Sequence, residues 1–305
     1  MIKNQNILVI IAFRGLGDLI YHLPLLRSLH ATYKTKLNIL SNKVNNSMHV
    51  YKNEKFVKKI VNFDTTRRKL LGQAKETIKL RKYLNSMNLD KVFLTSNSSR
   101  LVIPVMLSNA KEKVIFDKRY FPSINYNKLK NMNSSNKLFL FTKNLNLSKK
   151  VYNFNLTPPN NKNRKSKNVL LNVDSHHNQN DWNLSCYFNL IEGLLKKKFK
   201  IFINFKSIKI SKGMFPDKLK NSKNIKFTNK KNVGQLINII NTCKYVIGNE
   251  SGPICLGSSL KKIVHTIFLP IHTEPESRLI NKNNKYYNVN KYSEKNIIKK
   301  ILDSL

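Results

Sequence analysis

Asp18 is the first side chain in the sequence placed to do chemistry. It closes Arg14-Gly15-Leu16-Gly17-Asp18, directly after the apolar run Ile7-Leu8-Val9-Ile10-Ile11. Glycines at the end of a strand let the chain turn sharply and bring backbone N–H groups close to a ligand. The helix that follows presents a positive dipole end, which favours anions and polar sugar groups. A carboxylate there would repel an anion, so Asp18 faces a hydroxyl, as base or orienter, or else caps a helix over Leu19 to His30. A second turn, Gly248-Asn249-Glu250-Ser251-Gly252-Pro253, follows Lys244-Tyr245-Val246-Ile247. With Pro253 opening the helix and Ser251 or Gly252 as its cap, this turn is either a phosphate seat or an ordinary strand-to-helix connection.

The elements that must position these turns alternate along the chain. Strands are predicted over Ile7 to Ile11, Leu37 to Leu40, Lys91 to Leu94, Asn168 to Val173, Phe199 to Phe205 and Lys244 to Ile247. Helices are predicted over Lys75 to Met87, Cys186 to Lys197, Val233 to Asn241 and Ser293 to Leu305. Such βα alternation, with strands apolar throughout, predicts parallel sheets wound on both faces. Around Thr157-Pro158-Pro159-Asn160 two prolines interrupt the rhythm. The expected organisation is a first domain over 1–156, a polar linker over 157–167 and a second domain over 168–305, with the ligand at the carboxyl ends of the strands.

Composition narrows the class. Across 305 residues, 41% hydrophobic content suffices for real cores, while 56 Lys+Arg against 16 Asp+Glu give a net charge of +40. That charge promotes binding to anionic surfaces. It is dispersed among asparagines, as in Asn281-Lys282-Asn283-Asn284-Lys285, rather than clustered between stacking aromatics as a nucleic-acid-binding protein would have it. No specific nucleic-acid partner is expected. Cys186, Cys243 and Cys255 have no metal-type spacing, and their odd number argues against a disulfide framework. The first apolar run, bounded by a glycine turn, reads as a strand rather than a targeting signal. A cytoplasmic location is the expectation.

Taken in order, the two turns resemble glycosyltransferase family 9, the lipopolysaccharide heptosyltransferases. The matching residues are Ile7 to Ile10, Arg14 to Asp18, Leu23 to Leu29 and Gly248 to Leu256. Thr228 to Leu236 is similar to the segment before the second motif, and Thr273-Glu274-Pro275-Glu276 to the family's Thr-Asp-Pro. The resemblance implies a GT-B fold, two Rossmann-like doubly wound parallel-sheet domains facing across a cleft. It also implies metal-independent, inverting transfer from a nucleoside-diphosphate sugar, ADP-heptose-like, without a cofactor. The acceptor would be a lipopolysaccharide core or other glycan, or a lipid-linked saccharide, with peripheral contact to an anionic membrane surface.

By the same resemblance Asp18 would deprotonate the acceptor hydroxyl, with Arg14, Gly15 and Gly17 forming the loop around it. Asn249, Glu250, Ser251, Gly252 and Thr228 would serve the donor, Glu250 holding sugar hydroxyls. The sequence departs from the family at Asn180, where a phosphate-binding Lys usually stands two residues before the Trp, here Trp182. It departs again at Cys255, in place of a His, and at Glu250, in place of an Asp. His177, Asn180 and Lys206 are the remaining candidates for phosphate contact, His176 and His177 sharing the loop of Asn180 and Lys206 standing just after a later strand. A transferase fold that binds sugar or nucleotide without turnover is the alternative.

Overall fold

The computed structural model describes residues 5–12, 15–63, 70–96, 98–116, 134–159, 167–174, 182–205, 210–228, 232–268, 280–281 and 284–305. Two compact units divide the chain, Met1–Phe154 and Asn155–Leu305. Both sides of the expected boundary at 156/157 are tied to the second unit: the N–H of Leu156, expected to end the first domain, donates to Ser259 O at 2.9 Å, and Asn241 Nδ2 donates to Pro159 O of the expected linker at 3.1 Å.

Among the described residues the first unit holds five parallel strands: β1 (Ile7–Ile11), β2 (Leu37–Asn42), β3 (Val57–Phe63), β4 (Lys91–Leu94) and β5 (Glu112–Ile115), in the order β3-β2-β1-β4-β5. β1 is buried along its whole length, as its unbroken apolar run requires. Where one continuous helix over Leu19 to His30 is expected, two occur: α1 (Leu16–Tyr21) and α2 (Leu23–Tyr33), joined at His22. Pro24 is the reason, because it lacks the N–H that would continue the bonding ladder. The unit also holds α3 (Ser47–Val50), α4 (Leu70–Ser86), α5 (Ser99–Met106) and α6 (Ser134–Asn144). Leu80, Leu84, Leu101 and Val105 of α4 and α5 pack against Leu8, Ile10 and Val92 of the sheet.

Among the described residues the second unit has six parallel strands: β6 (Asn168–Asn172), β7 (Lys200–Asn204), β8 (Ile225–Phe227), β9 (Tyr245–Asn249), β10 (Ile263–Phe268) and β11 (Lys285–Asn288), in the order β11-β10-β9-β6-β7-β8. Its helices are α7 (Leu184–Lys196), α8 (Asp217–Lys220), α9 (Val233–Thr242), α10 (Gly252–Ser259) and α11 (Glu294–Asp303). Leu190, Ile191 and Leu194 of α7 and Ile297 and Ile301 of α11 share a core with Val169, Leu171 and Ile247 of the sheet.

In each sheet the strand order reverses about the first strand of its unit. The switch points lie between β1 and β4 and between β6 and β9. Ligands of open α/β sheets bind outside the carboxyl ends of the strands at such places. Asp18 follows β1, and Ser251 follows β9.

Candidate functional site

In the first unit Asp18 is the third residue of α1, partly buried, and its Oδ2 accepts a hydrogen bond from Gly15 N–H at 2.8 Å. This is half of a capping box, since glycine has no side chain to return the bond. Gly15 has φ −78° and ψ 147°, which any residue can adopt. What glycine supplies is therefore space rather than turning freedom: a Cβ at Gly15 would stand 2.7 Å from Asp18 Oδ2. Gly17 lies inside α1, so neither glycine forms the expected sharp turn. Burial pushes the Asp18 carboxyl up to about 6, against the opposing pull of the Gly15 N–H.

Sequence reasoning missed the group beneath Asp18. His22 is fully buried, with Nδ1 2.6 Å from Asp18 O and Nε2 3.0 Å from Thr95 Oγ1. Thr95 follows β4 and is itself 3.0 Å from Ile10 O of β1. Burial lowers the imidazole to about 4, so it is neutral. Because the Asp18 carbonyl only accepts, the proton sits on Nδ1, and Nε2 faces the Thr95 hydroxyl, whose single proton serves either this nitrogen or Ile10 O at any one time. The loop carrying Asp18 is thus pinned to both strands of the switch point.

In the second unit β9 extends two residues beyond its expected end, taking in Gly248 and Asn249. Gly248 has no room for a side chain, since a Cβ there would lie 2.1 Å from Asn172 O. Asn249 is fully buried. Its Oδ1 accepts from Trp182 N–H at 3.0 Å, and its Nδ2 donates to Val173 O at 3.2 Å. The Tyr187 hydroxyl lies 3.0 Å from Asn249 Oδ1 and 3.2 Å from Asn172 O, and donates to one of them at a time.

Ser251 caps α10 with extended backbone, and Gly252 and Pro253 begin the helix. The Ser251 hydroxyl donates to Asn249 O at 2.8 Å and accepts from Asn172 Nδ2 at 2.9 Å. Its single proton is thereby committed within the protein. What this turn offers a phosphate is main-chain N–H groups at a helix start, which lack intrahelical partners.

Asn172 heads a hydrogen-bonded row. Register pairs Thr266 with Gly248, Gly248 with Asn172 and Asn172 with Asn204, placing all four residues side by side across β10, β9, β6 and β7. Asn204 Nδ2 donates to Asn172 Oδ1 at 2.7 Å. Thr228, buried at the end of β8, donates to Ile203 O at 3.1 Å with Asn204 Oδ1 3.3 Å away. Asn249 and Thr228, expected as donor contacts, have their side chains hydrogen-bonded inside the protein.

Glu250 is partly buried, with its N–H donating to Ile267 O at 3.1 Å. Asp174, buried just beyond β6, joins this end of the sheet and carries no signal in the linear sequence beyond its place after an apolar strand. The indole N–H of Trp182 is buried with no partner among the described residues. Arg14, His176, His177, Asn180, Lys206 and Thr273 to Glu276 lie outside the described residues. Among the described residues no three His, Cys, Asp or Glu side chains gather in a metal-binding group, and no helix is long and apolar enough to cross a membrane.

No protein-family model and no curated protein matches the sequence. Solved structures do match it over nearly the whole chain. A family 9 glycosyltransferase from Veillonella parvula superposes with TM-score 0.76 at 12% identity, covering 99% of this chain and 98% of its own. The E. coli heptosyltransferase WaaC with ADP gives TM-score 0.73 at 14% identity, covering 98% of this chain and all of its own. E. coli ADP-heptose lps heptosyltransferase II gives 0.65 at 13% identity, with 97% of each chain covered. With its two parallel-sheet α/β units, this chain has the GT-B fold seen in the heptosyltransferases.

Proposed function

We propose that this chain is a glycosyltransferase that moves a heptose-like sugar from a nucleoside-diphosphate donor to a glycan or lipid-linked saccharide acceptor at the cytoplasmic membrane face. One observation carries the reading: a partly buried carboxylate with a raised pKa stands at the switch point of the first sheet, in a fold shared with heptosyltransferases. A base works best when its pKa lies near the working pH. In the proposed single displacement, ionised Asp18 takes the acceptor's hydroxyl proton. The acceptor oxygen then attacks the anomeric carbon from the face opposite the leaving group, and the configuration inverts. The electron pair of the breaking C–O bond passes to the diphosphate, whose growing charge faces the N–H groups that open α10.

The donor site is the second-unit turn. Gly252 and Ser251 supply main-chain donors there, Glu250 addresses sugar hydroxyls, and Asn249 and Thr228 hold the frame. No metal is assigned a role. The test is incubation with a panel of nucleotide sugars while nucleoside diphosphate release is followed. Release that requires acceptor and is lost in Asp18→Asn supports the reading.

Asn180, in place of the cation usual in the family, favours a second reading, binding without turnover. Asn180→Lys distinguishes the two. In a relic it restores donor binding by about 1–3 kcal/mol, the worth of a charge-assisted hydrogen bond. If His177 or Lys206 already supplies the charge, the addition is redundant and His177→Ala or Lys206→Ala lowers turnover instead.

A further inference from the structure

α5 buries Leu101, Val102, Pro104 and Val105 but turns Ile103 and Met106 outward, with Leu107 just beyond its end. These three stand at i, i+3 and i+4, on one side of the helix. Their exposures, 48%, 42% and 52%, are high for side chains of this size. Arg81 of the adjoining α4 donates from Nε to Leu107 O at 2.9 Å, which sets that side of α4 beside the end of α5. Ile78, one turn before Arg81 and 55% exposed, extends the apolar strip.

Cations rim it. Lys113 Nζ donates to Met106 O at 3.1 Å, and Lys75, Lys79 and Lys82 of α4 are exposed. Of the nearby carboxylates, Glu112 pairs with Lys91 and Asp90 with Lys111 at 2.7 Å, while Glu76 of α4 is partly buried with its Oε1 turned away from solvent.

An apolar centre ringed by Arg and Lys fits the boundary between anionic headgroups and acyl chains. A second copy of this chain is disfavoured by the +40 charge that both copies would bring together. Nucleic acid is disfavoured because the strip has no aromatic ring on which a base would stack. We propose that the Ile78–Ile103–Met106–Leu107 strip, with Arg81 and Lys113 at its rim, seats the first unit on an anionic phospholipid bilayer. The contact takes its purpose from the proposed membrane-borne acceptor, but measuring it requires neither donor nor acceptor.

The test is co-sedimentation of the full chain with phosphatidylcholine vesicles, with or without phosphatidylglycerol. Wild type should bind only the anionic vesicles. Ile103→Ser/Met106→Ser/Leu107→Ser and Arg81→Gln/Lys113→Gln should each bind about tenfold more weakly. The control Lys295→Gln/Lys299→Gln removes the same charge from exposed positions on α11 and should bind as wild type does. Circular dichroism melting establishes that each variant is folded. As a measurement free of that concern, Met106→Trp should shift its emission to the blue on adding anionic vesicles.

Several results would overturn the proposal: no binding by wild type, an undiminished triple-serine variant, or a control pair as costly as the rim pair. So would a wild type that self-associates through this strip, becoming monomeric only in the triple-serine variant. Vesicle binding with no turnover of any nucleotide sugar would leave the contact standing and remove the glycosyltransferase reading instead.

Discussion

His22 donates its Nδ1 proton to the main-chain carbonyl of Asp18 across 2.6 Å, while the backbone N–H of His22 reaches the same oxygen at 3.2 Å. Two donors on one carbonyl fix the peptide plane from which the carboxylate projects, and Thr95 fixes the imidazole in turn. His22→Asn keeps a donor near the position of Nδ1 and should retain most turnover. His22→Leu should lower kcat by about tenfold or more, with KM for the donor little changed, as a misplaced catalytic group does. Steady-state kinetics of the two folded variants decides it, and equal kcat in both would confine His22 to stability.

The Asp18 carboxyl gives a pH signature. If the proton acceptor is this group, raised to about 6, kcat/KM should fall about tenfold per pH unit below that value. Stability should move the other way. Folded Asp18 keeps its proton up to about pH 6, whereas an unfolded one loses it near 4, so wild type loses stability as pH rises through that window. Asp18→Asn escapes that penalty and should melt higher than wild type at pH 8 while losing turnover by about 10²–10⁴-fold. A carboxylate that only caps α1 would show the reverse: full turnover, and about 1 kcal/mol lost.

Asn172 carries the second turn. Asn172→Leu strips partners from Ser251 Oγ and Asn204 Nδ2, costing about 1–3 kcal/mol for each buried group left unpaired. Nucleoside diphosphate affinity should fall with it, as the start of α10 loses its anchor. Gly252→Val makes the complementary case, with the frame intact, the phosphate contact impaired and acceptor binding untouched. Calorimetric titration of both variants with nucleoside diphosphate would reveal whether the frame and the contact separate in this way.

Gly248→Ala should be among the most damaging single methyl additions in the second unit. The neighbour it meets is the main-chain oxygen of Asn172, 2.1 Å from the new Cβ, so no side chain can rotate away and β6 must part from β9. A loss of about 2 kcal/mol or more is expected in chemical denaturation, near the upper range for overpacking. An alanine variant as stable as wild type would show that the two strands can separate cheaply.

Continuous apolar runs such as Ile7 to Ile11 made the strands legible in the sequence, and the βα alternation made both sheets parallel. The break at His22 was harder to see, because Leu19 to His30 keeps a helical pattern through Pro24, and a proline near a helix start is favourable. Asp18 and Ser251 were visible through the glycines beside them. Asn172, Asn204, Thr95 and His22 were not, since each acts on a residue far away in sequence: Asn172 and Ser251 are 79 positions apart. A local signal does exist. Leu170-Leu171-Asn172, Phe202-Ile203-Asn204, Phe93-Leu94-Thr95 and Val246-Ile247-Gly248-Asn249 each end an apolar strand on a polar residue. A polar group buried at a strand end must find a partner, and in this fold the partners lie on the neighbouring strand or on the loop that follows a strand at the switch point.

The Asn204–Asn172–Ser251 linkage ties the entry of α10 to the middle of the sheet through side chains rather than through backbone ladders. Loops at binding sites usually open on their own, far below the free energy of global unfolding. This linkage predicts that the amides at the start of α10 open together with β6 and β9 as one cooperative unit. In native-state hydrogen exchange they would trade deuterium on the slow timescale of the central strands, and cutting the Asn172 linkage would set them free while the strands stayed protected.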